Sequence, residues 1–285
     1  MSPGSKDTSA LPGSTKILLV LVLICSIFFI RPSSAESNFI DYPHDRVKRD
    51  NDTDQKGIIG TVPPKHEYRF MVLLLQDMGK SEVPSCHGVL VAPHIIISVA
   101  HTKCQILTAD KVVAVAGMHD LKQSMLTKQT REVCHIETSK IEGDYKNSYR
   151  IYFLSDPFKL NDYVGTINLP FGDTVNFQEC MYLGYGYGGN IMGAPLHMAI
   201  KMASCNEGPT VICTEPANNE YGHDLGTPLV CTVGNLEFTP GVYAYSPCST
   251  NSGTGSCFAS LLSKQFRDWF NDANKKVPKT CYPKS

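Results

Sequence analysis

The chain has 285 residues, 42% of them hydrophobic and 19% charged, a balance that excludes a disordered chain and allows a sizeable core. Its formal net charge is −1, so the whole molecule offers no electrostatic case for a nucleic-acid or acidic-lipid partner. At the amino terminus, Lys6 and Lys16 precede an apolar run from Ile17 to Ile30, and Ser33-Ser34-Ala35 supplies small residues for cleavage. Residues 1–35 thus read as an export signal. The run is 14 residues long, short of the ~20 that a membrane span needs. Arg31 follows at once, leaving a signal-anchor as the lesser reading. A secreted, extracellular chain with no membrane span after signal removal is the expectation.

Of eleven cysteines, Cys25 lies in the export signal. The remaining ten, an even set in an exported chain, read as a disulfide framework. No Cys-x-x-Cys pair with nearby histidines points to zinc, and neither a metal nor a cofactor is expected.

Residues 36–57 are polar and charged with few large apolar groups, an exposed pro-segment or linker. Arg46-Val47-Lys48-Arg49 fits either a furin-type processing site, Arg-x-Lys-Arg, or an ordinary basic cluster in a solvated tail. Cleavage is expected within residues 46–57, with Arg49 the favoured cut. Asn51-Asp52-Thr53 is an N-glycosylation sequon in the same exposed stretch. From Phe70 the pattern turns to strands: Phe70–Leu75, Gly88–Val91 and His94–Val99, apolar and β-branched, with Pro93 at a turn. Near the end, Leu261, Leu262, Phe266, Trp269 and Phe270 recur at three- and four-residue spacing, as on an amphipathic helix packed against a core. Lys264, Arg267, Lys275, Lys276 and Lys279 form its solvated face. Short strands, frequent Gly/Pro turns and many cysteines place the chain in the all-β class.

Several ordered segments carry a more specific message. They are Ile58-Ile59-Gly60-Thr61, Cys86-His87-Gly88-Val89-Leu90, Ser98-Val99-Ala100-His101, Tyr149–Leu154, Thr166–Pro170, Cys180–Gly186, Gly222–Cys231 and Gly241–Ser246. Gly222-His223-Asp224-Leu225-Gly226-Thr227-Pro228-Leu229-Val230-Cys231 resembles the Gly-Asp-Ser-Gly-Gly-Pro-Leu-Val-Cys signature of trypsin-like serine proteases. Ile58-Ile59-Gly60-Thr61 is similar to the Ile-Val-Gly-Gly start of the mature protease domain. Tyr149–Leu154 falls where the family has Asn-Asp-Ile-Ala-Leu-Leu. Cys180–Gly186 is similar to Cys-x-x-x-Gly-Trp-Gly, and Gly241–Ser246 to Gly-Ile-Val-Ser-Trp-Gly. The resemblance runs from about Ile58 to Phe270. It implies a protease-homologue domain over 58–285, with two six-stranded antiparallel β-barrels and a C-terminal helix.

The same resemblance assigns roles, and most of the catalytic ones are filled by the wrong chemistry. The nucleophile position is Leu225, which has no hydroxyl to deprotonate. The general-base position is His101, with Thr102 and Lys103 inserted before the next cysteine. The orienting carboxylate position is Arg150, which has no acceptor and opposes an imidazolium by like-charge repulsion. His101 therefore reads as a retained structural histidine. His223 takes the oxyanion-hole glycine, whose amide must point at the developing charge. Asn219 lies at the base of the primary specificity pocket, Tyr221 replaces a pocket cysteine, Ala244 replaces a serine and Tyr245 a tryptophan. Asp224 occupies the position that pairs with the freed amine of Ile58, although Gly57 precedes that residue where a trypsin-type activator needs Arg or Lys. The implied disulfides are Cys86–Cys104, Cys180–Cys231 and Cys205–Cys213, with Cys248–Cys257 closing a local loop and Cys134–Cys281 tying down the tail. Loop entropy makes a bridge such as Cys86–Cys104 worth about 3 kcal/mol.

The resemblance thus implies a non-catalytic protease homologue that acts by binding extracellular protein partners, as cofactor, regulator or decoy in a protease cascade of an immune or reproductive fluid. The rival is an enzyme of altered chemistry using Thr227 as a substitute hydroxyl, and a third reading is a structural secretory component with no specific partner.

Overall fold

The computed structural model describes residues 60–77, 82–101, 104, 109, 112–120, 126–139, 149–170, 179–185, 195–208, 210–215, 224–251 and 253–281. The export signal, the pro-segment, the Arg49 cleavage site, the Asn51 sequon and Ile58 lie outside them. So do His223, Asn219 and Tyr221.

Six strands close into an antiparallel barrel: β1 (Met71–Asp77), β2 (Glu82–Ala92), β3 (Ile95–Val99), β4 (Val112–Ala116), β5 (Gln129–Thr138) and β6 (Tyr149–Leu154). Their order around the barrel is β1-β2-β3-β6-β5-β4, and β4 pairs back onto β1. The Pro93-His94 turn separates β2 from β3, at the place where proline was expected to end a strand. A proline cannot donate to a ladder, so it sits where no ladder bond is needed. Every residue of β3 is buried, because one strand face fills the barrel and β3 also packs beside the second sheet. That explains the unbroken apolar run Ile95-Ile96-Ile97, which shows no in-out alternation.

The second sheet contains β7 (Glu179–Gly184), β8 (Leu196–Ile200), β9 (Met202–Ala203), β10 (Val211–Thr214), β11 (Pro228–Val233), β12 (Leu236–Thr250) and β13 (Gly253–Ser260). Its order is β8-β7-β11-β12-β13-β10-β9. The two edge strands are neighbours in sequence, separated only by Lys201. The sheet is therefore curled until its edges meet. If β8 and β9 are counted as one bent strand, there are six strands, which reconciles the seven observed pieces with the expected barrel. Tyr182, Tyr243 and Phe258 fill its interior in mutual edge-to-face contact, with ring centroids 5.4, 5.6 and 5.7 Å apart. This is the geometry that aromatic quadrupoles favour.

The helix α1 spans Lys264–Lys276. It starts later than the apolar spacing implied, because Ser263 is its N-cap: the Ser263 hydroxyl accepts from the Phe266 amide at 3.1 Å. Leu261 and Leu262 belong to the approach, not to the helix. Phe266 inserts against Tyr149 of β6, with centroids 5.0 Å apart, and the Tyr149 hydroxyl donates to the Ser260 carbonyl at 2.7 Å. Burial raises the Tyr149 phenol to about 12, so it stays protonated and keeps donating. Beyond α1, a 3₁₀ turn at Lys279–Cys281 brings Cys281 to Cys134 on β5, which fastens the tail to the first barrel. The other disulfides join Cys86 to Cys104, Cys180 to Cys231, Cys205 to Cys213, and Cys248 to Cys257. Among the described residues no helix is long and apolar enough to cross a membrane.

Candidate functional site

Of the residues singled out from the sequence, Asp224, Leu225 and Thr227 lie on a turn that touches the first barrel at His87. A tight turn, Asp224-Leu225-Gly226-Thr227, leads into β11. It is held on three sides. The Thr227 hydroxyl donates to the Asp224 carbonyl at 2.8 Å. Gly226 N donates to Tyr243 O at 2.9 Å, and Tyr243 N donates to Thr227 O at 2.7 Å, which fixes the turn to β12. From the first barrel, the His87 amide donates to the Leu225 carbonyl at 2.8 Å.

Gly226 is what allows this approach. Its φ is +85°, and a Cβ there would stand 2.1 Å from the His87 carbonyl oxygen and 2.2 Å from Ser98 Oγ. Both the left-handed backbone and the missing side chain are required. Ser98 completes the joint by donating from Oγ to the His87 carbonyl at 2.6 Å.

Leu225 is 7% exposed and belongs to the main core cluster. Its side chain is thus packed apolar matter with no donor, acceptor or titrating atom. Thr227 has a hydroxyl, but it is 0% exposed and committed to the turn's own carbonyl.

Asp224 is also buried. Its Oδ1 accepts from the Tyr185 amide at 2.8 Å and lies 4.0 Å from His87 Nδ1. His87 lies flat against Tyr185, with ring centroids 5.4 Å apart and planes 8° apart. Neither ring nitrogen of His87 has a hydrogen-bond partner among the described residues. Burial pushes its pKa down to about 4, so it is neutral near pH 7. Tyr185 is pushed above its ordinary range by burial and then by Asp224 and Asp120, and its hydroxyl donates to the Met118 carbonyl at 3.0 Å. Sequence reasoning passed over His87. The signal was its place in Cys86-His87-Gly88, where the related Cys-Gly-Gly segment has no side chain.

His101 follows β3 and is half-buried, and its carbonyl accepts from the Cys104 amide at 2.9 Å. Arg150 stands on β6 opposite Ser98 of β3 and Thr138 of β5. Its guanidinium donates from Nη1 to the Cys104 carbonyl at 3.0 Å and from Nε to Thr138 Oγ1 at 3.3 Å. His101 and Arg150 therefore converge on the Cys104 backbone, which the Cys86–Cys104 disulfide ties to β2. On β12, Ala244 is fully buried and Tyr245 half-buried, next to Tyr243.

The Trypsin family model matches residues 58–269. This chain belongs to the trypsin family. Its fold is also that of a solved human heparin binding protein, at a TM-score of 0.63 and 20% identity, covering 77% of this chain and 97% of that one. The family match spans both barrels and ends inside α1. Within the trypsin fold described here, the inter-barrel joint is built from backbone groups, a glycine and a buried His-Tyr-Asp cluster.

A pH dependence follows from His87. Its folded pKa of about 4 lies below the ordinary 6.5, so the unfolded chain binds more protons between those values. Stability from this group is whole above pH 6.5 and is lost progressively as pH falls toward 4, by about 3 kcal/mol in all. A His87→Phe variant keeps a ring against Tyr185 and cannot titrate. Urea unfolding across pH 4–7 is expected to show a shallower acid loss in the variant by about that amount. Parallel curves for the two proteins would contradict the assignment.

Proposed function

We propose that this chain is a secreted, non-catalytic serine protease homologue that acts by binding protein partners in an extracellular fluid, as cofactor, regulator or decoy in a protease cascade. The observation that carries the reading is the buried Leu225 in the Asp224–Thr227 turn, where trypsin-like enzymes place their serine. Nothing on a leucine can be activated to attack a carbonyl. Arg150 adds a second lesion at the orienting carboxylate position, and its donors are used on the Cys104 carbonyl and Thr138. The rival nucleophile, Thr227, is buried and already donating to the Asp224 carbonyl, which argues against hydrolysis by substitution. The export signal, the even set of cysteines outside it and the five disulfides of the structure support the extracellular setting. A solved protein of the same fold is named for binding, not for hydrolysis.

Restoring the hydroxyl alone is expected to leave the protein inert. In a Leu225→Ser variant His101 still has Arg150 at the carboxylate position, and His223 still takes the oxyanion glycine, a contribution worth about 3–4 kcal/mol. Peptide hydrolysis is expected only when Arg150→Asp and His223→Gly are added and the chain is cut before Ile58. Substantial turnover from Leu225→Ser by itself would show that Arg150 does not occupy the carboxylate position.

The binding half of the proposal has its own test. The processed chain, immobilised and exposed to the native secretory fluid, is expected to retain the same specific protein when Leu225 is changed to alanine. Retention of nothing above a denatured control would favour a purely structural secretory component.

A further inference from the structure

Four sulfurs meet at one end of the second sheet. Cys213 on β10 lies directly opposite Cys257 on β13, and Cys205 pairs across to Thr250, two residues beyond Cys248 on β12. The bonds are Cys205–Cys213 and Cys248–Cys257. The two disulfides touch: Cys213 Sγ is 3.5 Å from Cys257 Sγ and 3.6 Å from Cys248 Sγ. A sulfur released from one bond therefore already stands against the other.

Access to the four is uneven. Cys213, Cys248 and Cys257 are 1%, 3% and 0% exposed, whereas Cys205 is only half-buried. A thiol in solution reaches Cys205 first. The alternative partners are uneven as well. Residues directly opposite in an antiparallel pair have Cα atoms about 4.5–5.5 Å apart, inside the ~4.4–6.8 Å range of a disulfide. Cys213–Cys257 thus fits the sheet without moving its strands. Cys205 and Cys248 are related diagonally, at about 7–8 Å, which is too far for a bond on the existing backbone.

We propose that Cys205 is a thiol-exchange site, at which attack by a small monothiol is relayed through Cys213 to free Cys248. In the first step the external thiolate bonds to Cys205 Sγ, and the Cys205–Cys213 bond breaks with its electron pair on Cys213. Cys213 Sγ stands broadside to the second disulfide, nearly equidistant from its two sulfurs, so a rotation about its side-chain bond brings it into line with Cys257. In the second step the Cys213 thiolate bonds to Cys257, the Cys248–Cys257 bond breaks, and Cys248 leaves as a thiolate that takes a proton from water. Two disulfides and one thiolate enter and two disulfides and one thiol remain, so nothing is oxidised or reduced overall. Apolar burial disfavours a thiolate on Cys213. The charge passes to Cys248, whose chain neighbours Pro247 and Ser249 are exposed, and protonation by water removes it. Tyr245 packs on this cluster and pairs with Cys257, so the exchange alters the wall beside it. The inference does not depend on whether the chain hydrolyses or binds.

The test uses the intact, oxidised protein. It is incubated with excess glutathione, quenched in acid, alkylated and mapped without reduction, with peptide fragmentation to resolve the Cys248–Cys257 segment. The expected product carries glutathione on Cys205, the alkyl group on Cys248 and a Cys213–Cys257 link in the same molecules. In a Cys248→Ser/Cys257→Ser variant the relay has no acceptor, and the alkyl group is expected on Cys213. Alkylation of Cys213 in the unaltered protein with Cys248–Cys257 intact would overturn the relay. Glutathione on Cys248 or Cys257, or none on Cys205, would overturn the site itself.

Discussion

The structure depends on one close approach, that of Gly226 to the His87 carbonyl. At φ +85°, with Ser98 Oγ and the His87 oxygen crowding the place of a Cβ, no other residue fits without moving a strand of the first barrel. Around that contact the hydrogen bonds of His87, Ser98, Thr227 and Tyr243 tie β2, β3, β11 and β12 together. Each bond is modest, about 1 kcal/mol net. Their common location matters more than their sum, because a buried polar group left unmatched at the joint costs more than a bond gains.

Those contacts are made by backbone groups and by the Ser98 and Thr227 hydroxyls. The Asp224–Thr227 turn is kept by glycine geometry, by the Thr227 hydroxyl and by the burial of Asp224 and Leu225. In the function proposed above, selection for the joint and selection for turnover have come apart. A leucine at the centre of the turn adds apolar burial to the core, worth about 1.5–3 kcal/mol for a side chain of that size, and in that proposal it takes the place of the reacting atom. The Arg150 guanidinium holds the Cys104 carbonyl, and the Cys104 amide in turn donates to the His101 carbonyl.

Much of this was legible in the sequence because it rests on local patterns. Pro93 marked a turn, the apolar, β-branched run His94–Val99 marked a strand, and Gly222–Cys231 resembled the signature of the family. Other features needed three dimensions. The late start of α1 follows from the Ser263 cap, which outweighs the apolar spacing of Leu261 and Leu262. The bending of one strand into β8 and β9 about Lys201 has no compositional signal. His87 was hidden for a different reason: a lone histidine is usually a solvated residue, and only its stacking on Tyr185 and its distance from Asp224 mark it as part of the joint. The contact between the two disulfides of the second sheet was equally invisible, since spacing names pairs and says nothing of how pairs abut.

The central claim is that no atom in the Asp224–Thr227 turn is able to act as a nucleophile. Labelling of the processed, secreted protein with a fluorophosphonate, followed by peptide mapping, addresses it directly, because the reagent bonds only to an activated hydroxyl. No label anywhere in residues 222–231 is the predicted result. Stoichiometric label on Thr227, lost together with peptide turnover in Thr227→Ala, would contradict the claim and make this chain an enzyme.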